Sequence, residues 1–383
     1  MKKTHVAIVG AGPYGLSVGN ALSQEGTEVL VIGKPLQTWY EMPEGLFLRS
    51  RITKAFNPFG DGSFPLFLHE RGLPFSDNPP PISRALFLEY AEWFLSGTTF
   101  PLRTERVVQV DSMGDAFILT LGQGESVTAQ AVVMATGIQS FAALPEEYAT
   151  LPPHMVSHTR DAFDLSRYAN TRVAVLGGRQ AGFEWAALIA EAGAQRVDII
   201  YNHATPQFVY PDWSWLKTII EGTQGDRAWF RQLSPDEQRA VRDRLWTEGR
   251  GKVEPWVHPR IAEHNVHMHP ATSVTSVRTE NNAVVLTLSD TKTLFVDAIV
   301  CATGYRPSVH AVQPLAESSL LPRIRTHDGH YPVLNDVFES SVPNLFFVGY
   351  LADTDFGPLV GHMNLCEVSA RILARHLQSL RRS

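Results

Sequence analysis

Only two cysteines occur in the 383 residues, Cys301 and Cys366, and they form no CxxC pair. A dithiol redox centre and a zinc site are therefore ruled against, and no metal is expected. A reducing, cytoplasmic compartment is the simple inference. No stretch approaches the roughly 20 apolar residues that span a bilayer, so no membrane partner is expected. Met1-Lys2-Lys3 is basic, but the apolar run behind it is short and breaks at Gly10. It reads as a first strand and not as a signal peptide. Excess positive charge is also lacking: 33 Lys and Arg against 39 Asp and Glu leave a net charge of −6. That balance favours solubility and gives no footprint for nucleic acid. Walker A and HExxH patterns are missing, so P-loop phosphotransfer and zinc-hydrolase readings have no support.

What is present is a pair of glycine-rich loops. The first, Gly10-Ala11-Gly12-Pro13-Tyr14-Gly15, directly follows the apolar run Val6–Val9. In a strand–loop–helix unit the first glycine permits a tight turn. The second lets the backbone approach a pyrophosphate, and the third lets helix and strand pack closely. Amides at the helix N-terminus then face the phosphates. A helix over Leu16–Glu25 and a strand over Glu28–Ile32 complete the βαβ unit. The second strand of such units usually ends in an acid that holds a ribose hydroxyl. Gly33 stands there instead, followed by Lys34, so Lys34 or backbone groups must hold the adenosine ribose.

The second loop, Gly177-Gly178-Arg179-Gln180-Ala181-Gly182, follows the strand Arg172–Leu176. It precedes a helix over Phe183–Ala192 and a strand over Arg196–Tyr201. Its middle glycine position is Arg179. Two effects are open: the side chain crowds a pyrophosphate, or its guanidinium grips phosphate oxygens. A third reading is a βαβ unit that kept the fold and lost the ligand. After the strand, Tyr201-Asn202-His203 offers no acid for a 2′-hydroxyl and no clear cation for a 2′-phosphate. The reading leans to NADPH over NADH.

With both loops placed, the chain resembles the two-dinucleotide-binding flavoproteins of the flavin-containing and N-hydroxylating monooxygenase type. Thr38-Trp39-Tyr40 looks like the TWY stretch after the FAD loop of that group. Ala135-Thr136-Gly137 and Ala302-Thr303-Gly304 look like its two ATG motifs, and Asn344–Gly349 with Asp353 looks like its C-terminal strand and turn. Met42–Gly45 and Leu48-Arg49-Ser50 are similar to the FAD-dependent urate hydroxylases within it. One departure is that the FxGxxxHxxx(W/Y) fingerprint is not intact; only Ser157-His158-Thr159 resembles its histidine segment.

The resemblance implies an α/β fold of two Rossmann-like dinucleotide-binding domains, the nicotinamide domain inserted in the FAD domain. The expected boundaries are 1–160 and 299–383 for FAD and 161–298 for NAD(P), with a helical Trp-rich insertion at about 204–260. It implies FAD and NADPH or NADH as cofactors. The expected reaction is hydroxylation of a small, planar or nitrogen-containing molecule by molecular oxygen, through a C4a-hydroperoxide of the flavin. An NAD(P)H-dependent reductase passing electrons to a quinone or protein, and a non-catalytic FAD sensor, are the alternatives. A homodimer is left open.

Candidate FAD residues are Gly10, Gly12, Pro13, Tyr14, Gly15, Lys34, Thr38, Trp39, Thr136, Gly137, Gly349, Asp353 and Leu359. Candidate nicotinamide-site residues are Gly177, Arg179, Gln180, Ala181 and Gly304. Arg49, Ser50 and His362 are the candidates for orienting substrate; Asp355 and Asn364 lie nearby in sequence. A helix from about Gly361 to Leu377 would turn its positive end toward the flavin.

Other segments read as follows. Phe56–Pro81 is too irregular for helix or sheet. Arg84–Leu95 is an amphipathic helix. Glu105–Val110, Ala116–Leu121 and Ser126–Ala131 form a meander. Val284–Leu288 and Leu294–Val300 are returning strands. Ser234 caps a helix that has Pro235 at its first position. The insertion holds Trp213, Trp215, Trp229, Trp246 and Trp256, either as its own small core or as a wall for a planar substrate. His258, His264, His267 and His269 lack carboxylates at metal-ligand spacing and read as solvated loop residues.

Overall fold

The computed structural model describes residues 2–49, 56–57, 63–74, 81–161, 164–225 and 229–380. The chain divides into two compact units. The first comprises Met1–Phe141, Leu216–Gln238 and Pro307–Ser383; the second comprises Ala142–Trp215 and Arg239–Arg306.

The first unit is built on a seven-stranded sheet. Strand Lys2–Val9 lies between Val29–Ile32 and Ser126–Met134, parallel to both. Its inner half, Val6–Val9, is wholly buried, as expected of a parallel strand covered on both faces. Each such Val or Ile contributes about 1.5–3 kcal/mol on burial. Ser126–Met134 is shared. Its first half pairs antiparallel with Ala116–Leu121, and its second half pairs parallel with Leu345–Phe347. Val107–Met113 completes the expected meander.

Pro13–Gln24 follows the first loop as a helix with proline in its opening turn, where a missing amide hydrogen costs nothing. Its residues Gly15 to Leu22 are buried, and the last helix, Cys366–Leu380, packs against it. That last helix starts later than the sequence suggests. Gly361 meets the Tyr350 ring, and Met363–Leu365 forms a 3₁₀ turn before the α-helix begins.

Phe56–Pro81 is also more regular than expected. Ser63 accepts the Leu66 amide, Pro65 sits in the first turn, and Phe64–Glu70 is helical. Phe64, Phe67 and Leu68 are its buried face, an i, i+3, i+4 pattern masked by the surrounding prolines and glycines. The rest of that segment lies partly outside the described residues.

The second unit carries a five-stranded parallel sheet, ordered Val266–His269, Arg196–Ile200, Arg172–Leu176, Ala298–Cys301, Val156–His158. The helix after its loop is Gln180–Glu191. The single strand expected over Leu294–Val300 is two. Thr293–Val296 joins an antiparallel meander, and Ala298–Cys301 joins the parallel sheet. Asp297 makes the break, its carboxylate accepting the Arg172 amide at 2.8 Å and the guanidinium at 2.6 Å.

The insertion is helical, as expected, and contributes to both units. Leu216–Gly225 and Trp229–Gln232 belong to the first unit. Ser234 and Glu237 form a reciprocal cap for Pro235–Leu245: the Ser234 amide donates to Glu237 at 2.8 Å, and the Glu237 amide donates to the Ser234 hydroxyl at 3.4 Å. This is a capping box. A π-helical turn, Trp246–Arg250, follows.

Of the four histidines only His264 is the exposed turn residue expected; His258 lies on helix Val257–Ala262. His267 and His269 lie on strand Val266–His269, and His269 Nε2 sits 2.7 Å from the buried Asp198 carboxylate, which also takes Arg196 at 2.8 Å. The carboxylate is 71 residues away, which is why sequence spacing misses it.

Candidate functional site: two glycine cradles

Both loops close the same way. In the first unit, Gly10 donates its amide to Ile32 O at 2.8 Å, and Ala135 donates to Val9 O at 2.9 Å. In the second, Gly177 donates to Ile200 O at 2.9 Å, and Ala302 donates to Leu176 O at 2.8 Å. Gly10 has φ +110° and Gly177 has φ +128°, conformations that L side chains rarely adopt. A Cβ on Gly10 would stand 2.3 Å from Ala135 O, and one on Gly177 would stand 2.4 Å from Ala302 O. The first alanine of each ATG motif thus floors its own loop. Gly15 and Gly182 mirror each other as well, each with a Cβ position 1.8 Å from the carbonyl of the first glycine.

The cradles differ in the middle. Around Gly12 nothing lies within 4 Å of the Cβ position. The helix behind it has no side-chain cap and no acid in its first turn, so its orphan amides await an acceptor. Those features fit a pyrophosphate. The helix Gln180–Glu191 likewise has no side-chain cap and no acid in its first turn. Its Ncap is Arg179, whose side chain runs to Trp246, and a Cβ on Gly178 would fall 2.3 Å from the Tyr201 ring. The second loop therefore keeps the donors and is roofed by aromatic side chains.

Several candidate residues converge on the first cradle. Gly33 sits so close that a Cβ there would meet the Ala11 amide nitrogen at 2.9 Å; a ribose-binding acid has no room. Leu36 donates to Ala11 O at 3.0 Å, bringing the following turn alongside. Lys34 is exposed at that turn. Thr38 and Trp39 lie on the short helix Gln37–Glu41, with Trp39 against Phe87. Thr136 and Gly137 follow strand Ser126–Met134 directly. Gly349 touches the Tyr14 ring, and the Tyr14 hydroxyl donates to Val360 O and, at 2.8 Å, to His362 O. Burial pushes the Tyr14 phenol well above its usual range. Asp353 opens the short helix Asp353–Phe356, and Leu359 is buried beyond it. Arg49 follows strand Phe47–Leu48 and is half-buried. Ser50 lies outside the described residues, as does the side chain of Asn364.

In the second unit Gln180 is buried at the first helical position and its Oε1 accepts the Glu254 amide at 2.8 Å, while Ala181 is exposed. Gly304 O accepts from Ala143 at 2.9 Å and from His158 Nε2 at 3.0 Å. The Arg160 amide donates to His158 Nδ1 at 3.1 Å, which fixes the neutral tautomer. Burial holds His158 below its usual 6.5. As pH falls through that value the unfolded chain takes a proton that the folded chain resists, so stability conferred above it is lost on acidification. The urea midpoint of the wild type should fall between about pH 7.5 and pH 5.5, and that of His158→Gln should fall less. Equal falls would remove His158 from the account.

Sequence reasoning missed Trp246 and Arg250 as neighbours of Arg179, because they lie on the insertion. It also missed the partners of Asp355. That buried carboxylate accepts the Leu334 amide at 2.8 Å, with His327 Nε2 at 3.2 Å and Arg231 Nη1 at 3.7 Å. Both cysteines are buried and neither is in a disulfide, and burial raises the Cys301 thiol to about 12.

Two like-built cradles, each at the carboxyl ends of parallel strands, define a protein of two dinucleotide-type folds. The chain belongs to the pyridine nucleotide-disulphide oxidoreductase family, whose profile matches residues 7–223 and 238–349. The gap between those stretches falls inside the insertion.

The chain is 28% identical over 221 residues to the FAD-dependent urate hydroxylase of Xanthomonas campestris pv. campestris, covering 54% of this chain and 46% of that protein. It is 27% identical over 195 residues to the ferredoxin–NAD(+) reductase subunit of the benzene 1,2-dioxygenase system of Pseudomonas putida, covering 49% and 40%. The chain thus spans less than half the length of these two curated relatives. Its fold is similar over all of both chains to the ornithine N-hydroxylase of Kutzneria sp. 744, solved with reduced FAD, NADP+ and L-ornithine, at TM-score 0.81 and 19% identity. Among the described residues no helix is long and apolar enough to cross a membrane.

Proposed function

We propose that this chain is an FAD-dependent, NAD(P)H-using monooxygenase that hydroxylates a small, planar or nitrogen-containing molecule in a reducing, cytoplasmic compartment. The observation that carries this reading is the duplicated cradle, one copy open at its middle glycine and one roofed. FAD is assigned to the open copy, held by Gly10, Gly12, Pro13, Tyr14 and Gly15, with Lys34, Thr38, Trp39, Thr136, Gly137, Gly349, Asp353 and Leu359 around it. The nicotinamide dinucleotide is assigned to the second, with Gly177, Arg179, Gln180, Ala181 and Gly304. When bound, the flavin supplies hydride acceptance and activation of molecular oxygen.

The chain's own share of the work is binding and shaping. Amides at the start of Pro13–Gln24 hold phosphate oxygens. Tyr14, through the carbonyls of Val360 and His362, fixes the turn leading to the last helix against the loop. Arg49, Ser50 and His362 are assigned to orienting substrate. The urate hydroxylase relative and the N-hydroxylase fold neighbour support oxygenation of a nitrogen-bearing compound. The ferredoxin reductase relative favours a second reading, a reductase that passes electrons to a protein or quinone.

Anaerobic mixing of the flavin-loaded protein with NADPH, and separately with NADH, tests the first step. Bleaching with one nucleotide is expected and names the cofactor. Air is then admitted with candidate substrates. A monooxygenase consumes oxygen in step with substrate, whereas a reductase bleaches quickly and consumes oxygen independently of it. No bleaching with either nucleotide would leave a flavin-binding protein without a hydride donor and end both enzyme readings.

A further inference from the structure

The middle position of the second loop is unusual in where its side chain goes. The Arg179 guanidinium lies 4.8 Å from the centre of the Trp246 ring, and its Nη1 donates to Arg250 O at 3.0 Å. The Arg250 guanidinium lies 5.5 Å from the same ring. Trp246 and Arg250 are the first and last residues of the π-helical turn of the insertion. Such turns recur at functional sites. The Trp246 side chain is 50% exposed.

Two positive charges therefore converge on one ring, and among the described residues no carboxylate pairs with them. Glu248, the acid within the turn, is committed to Lys252 at 2.5 Å and to the Asp212 amide at 2.7 Å. No ion pair involves Arg179 or Arg250 among the described residues. Burial and the neighbouring Arg250 hold the Arg179 guanidinium below its ordinary range. Beside them begins the uncapped helix Gln180–Glu191. There Gln180, only 7% exposed, has an amide nitrogen that the protein leaves without an acceptor.

We propose that Arg179 and Arg250, held on the Trp246 indole, form a phosphate clamp for the dinucleotide of the second site, and that this clamp sets its nucleotide preference. The inference rests on the nicotinamide reading of the second loop given above. A guanidinium is a planar fork that matches two phosphate oxygens. Stacking on an aromatic face holds that plane while its edge stays free for oxygens. An anion between the two cations offsets their mutual repulsion. The clamp thus takes over work usually shared by the middle glycine and the ribose-binding acid, both missing here. A pyrophosphate and a 2′-phosphate present the same oxygens, and the test separates them.

Full-length, FAD-loaded protein is titrated calorimetrically with ADP-ribose, whose only phosphates are the pyrophosphate, and with 2′-phospho-ADP-ribose, which adds the 2′-phosphate. Arg250 is exposed, so Arg250→Ala should fold. It should weaken binding by about tenfold or more, with part recovered by Arg250→Lys. Arg179→Gly should weaken binding as well. Equal losses for both ligands assign the clamp to the pyrophosphate, and loss for 2′-phospho-ADP-ribose alone assigns it to the 2′-phosphate. Unchanged affinity in Arg250→Ala, or tighter binding by Arg179→Gly, overturns the clamp. So does a wild type that binds neither ligand, even where NADPH bleaches the flavin. Arg250-dependent binding without bleaching keeps the clamp and sinks the nicotinamide reading instead.

Discussion

Gly12→Ala should fold and yet emerge from purification with its flavin affinity reduced by at least about tenfold, whereas Gly15→Ala, three residues on, should not fold. The two glycines are distinguished by what surrounds them. Gly12 has φ −79° and ψ −174°, ordinary backbone for alanine, and a Cβ there meets no protein atom within 4 Å. As an Ncap exchange it costs about 1 kcal/mol or less. The methyl group takes only the space assigned to the pyrophosphate. At Gly15 the added Cβ stands 1.8 Å from Gly10 O and 2.9 Å from Gly10 C. Both are backbone atoms of a turn fixed by the sheet, so nothing flexible can yield. The melting temperature and the flavin-to-protein absorbance ratio of each variant decide the matter. A Gly12→Ala protein that keeps a full complement of flavin would mean that the phosphates lie elsewhere.

The second large effect is expected at Asp355. Its carboxylate is 3% exposed and serves the Leu334 amide, His327 and Arg231 together. Arg231 in turn donates to Leu334 O at 2.6 Å and pairs with Asp336. Around this knot Phe338 stacks on Phe356 at 3.8 Å, and the Phe230 ring lies 3.0 Å from where a Gly357 Cβ would be. Removing the carboxylate leaves a buried amide without its acceptor and Arg231 with one charge partner fewer. Asp355→Ala should destabilise by about 3 kcal/mol. Asp355→Asn keeps an oxygen for Leu334 and should cost about half as much. Urea unfolding followed by tryptophan fluorescence measures both. Equal costs for the two variants would assign the effect to lost volume and not to the polar knot.

Much of the fold was legible because its signals are local. Glycine spacing after an apolar run marks both cradles, and the meander alternates with the period of a strand. Ser234 and Glu237 stand at capping-box spacing. The helix Phe64–Glu70 was hidden by proline and glycine neighbours, although Ser63 and Pro65 are ordinary start signals. What sequence cannot show is a partner far along the chain. Asp297 splits a strand because Arg172 is its mate, and His269 meets Asp198 across a parallel register. Gly33 reads as a missing ribose acid, yet the reason is steric and lies in Ala11. Nothing in residues 216–238 says that they join the unit of the first loop, since an apolar helix face does not name what it packs on. Arg179 left crowding and gripping open, and its ring partner Trp246 lies too far along the chain for sequence spacing to reveal it.

The first cradle also has a place in time. Its floor is laid by residues near 135, but strand Leu345–Phe347 and the carbonyls of Val360 and His362 that receive Tyr14 are synthesised much later. The helix behind Gly12 waits equally long for its cover, the helix Cys366–Leu380. The second unit closes around residue 306, while the ribosome is still adding to the first. The first cradle therefore cannot close before residues 345–380 have been made. Until then the growing protein holds one finished domain and one apolar helix face in need of shelter.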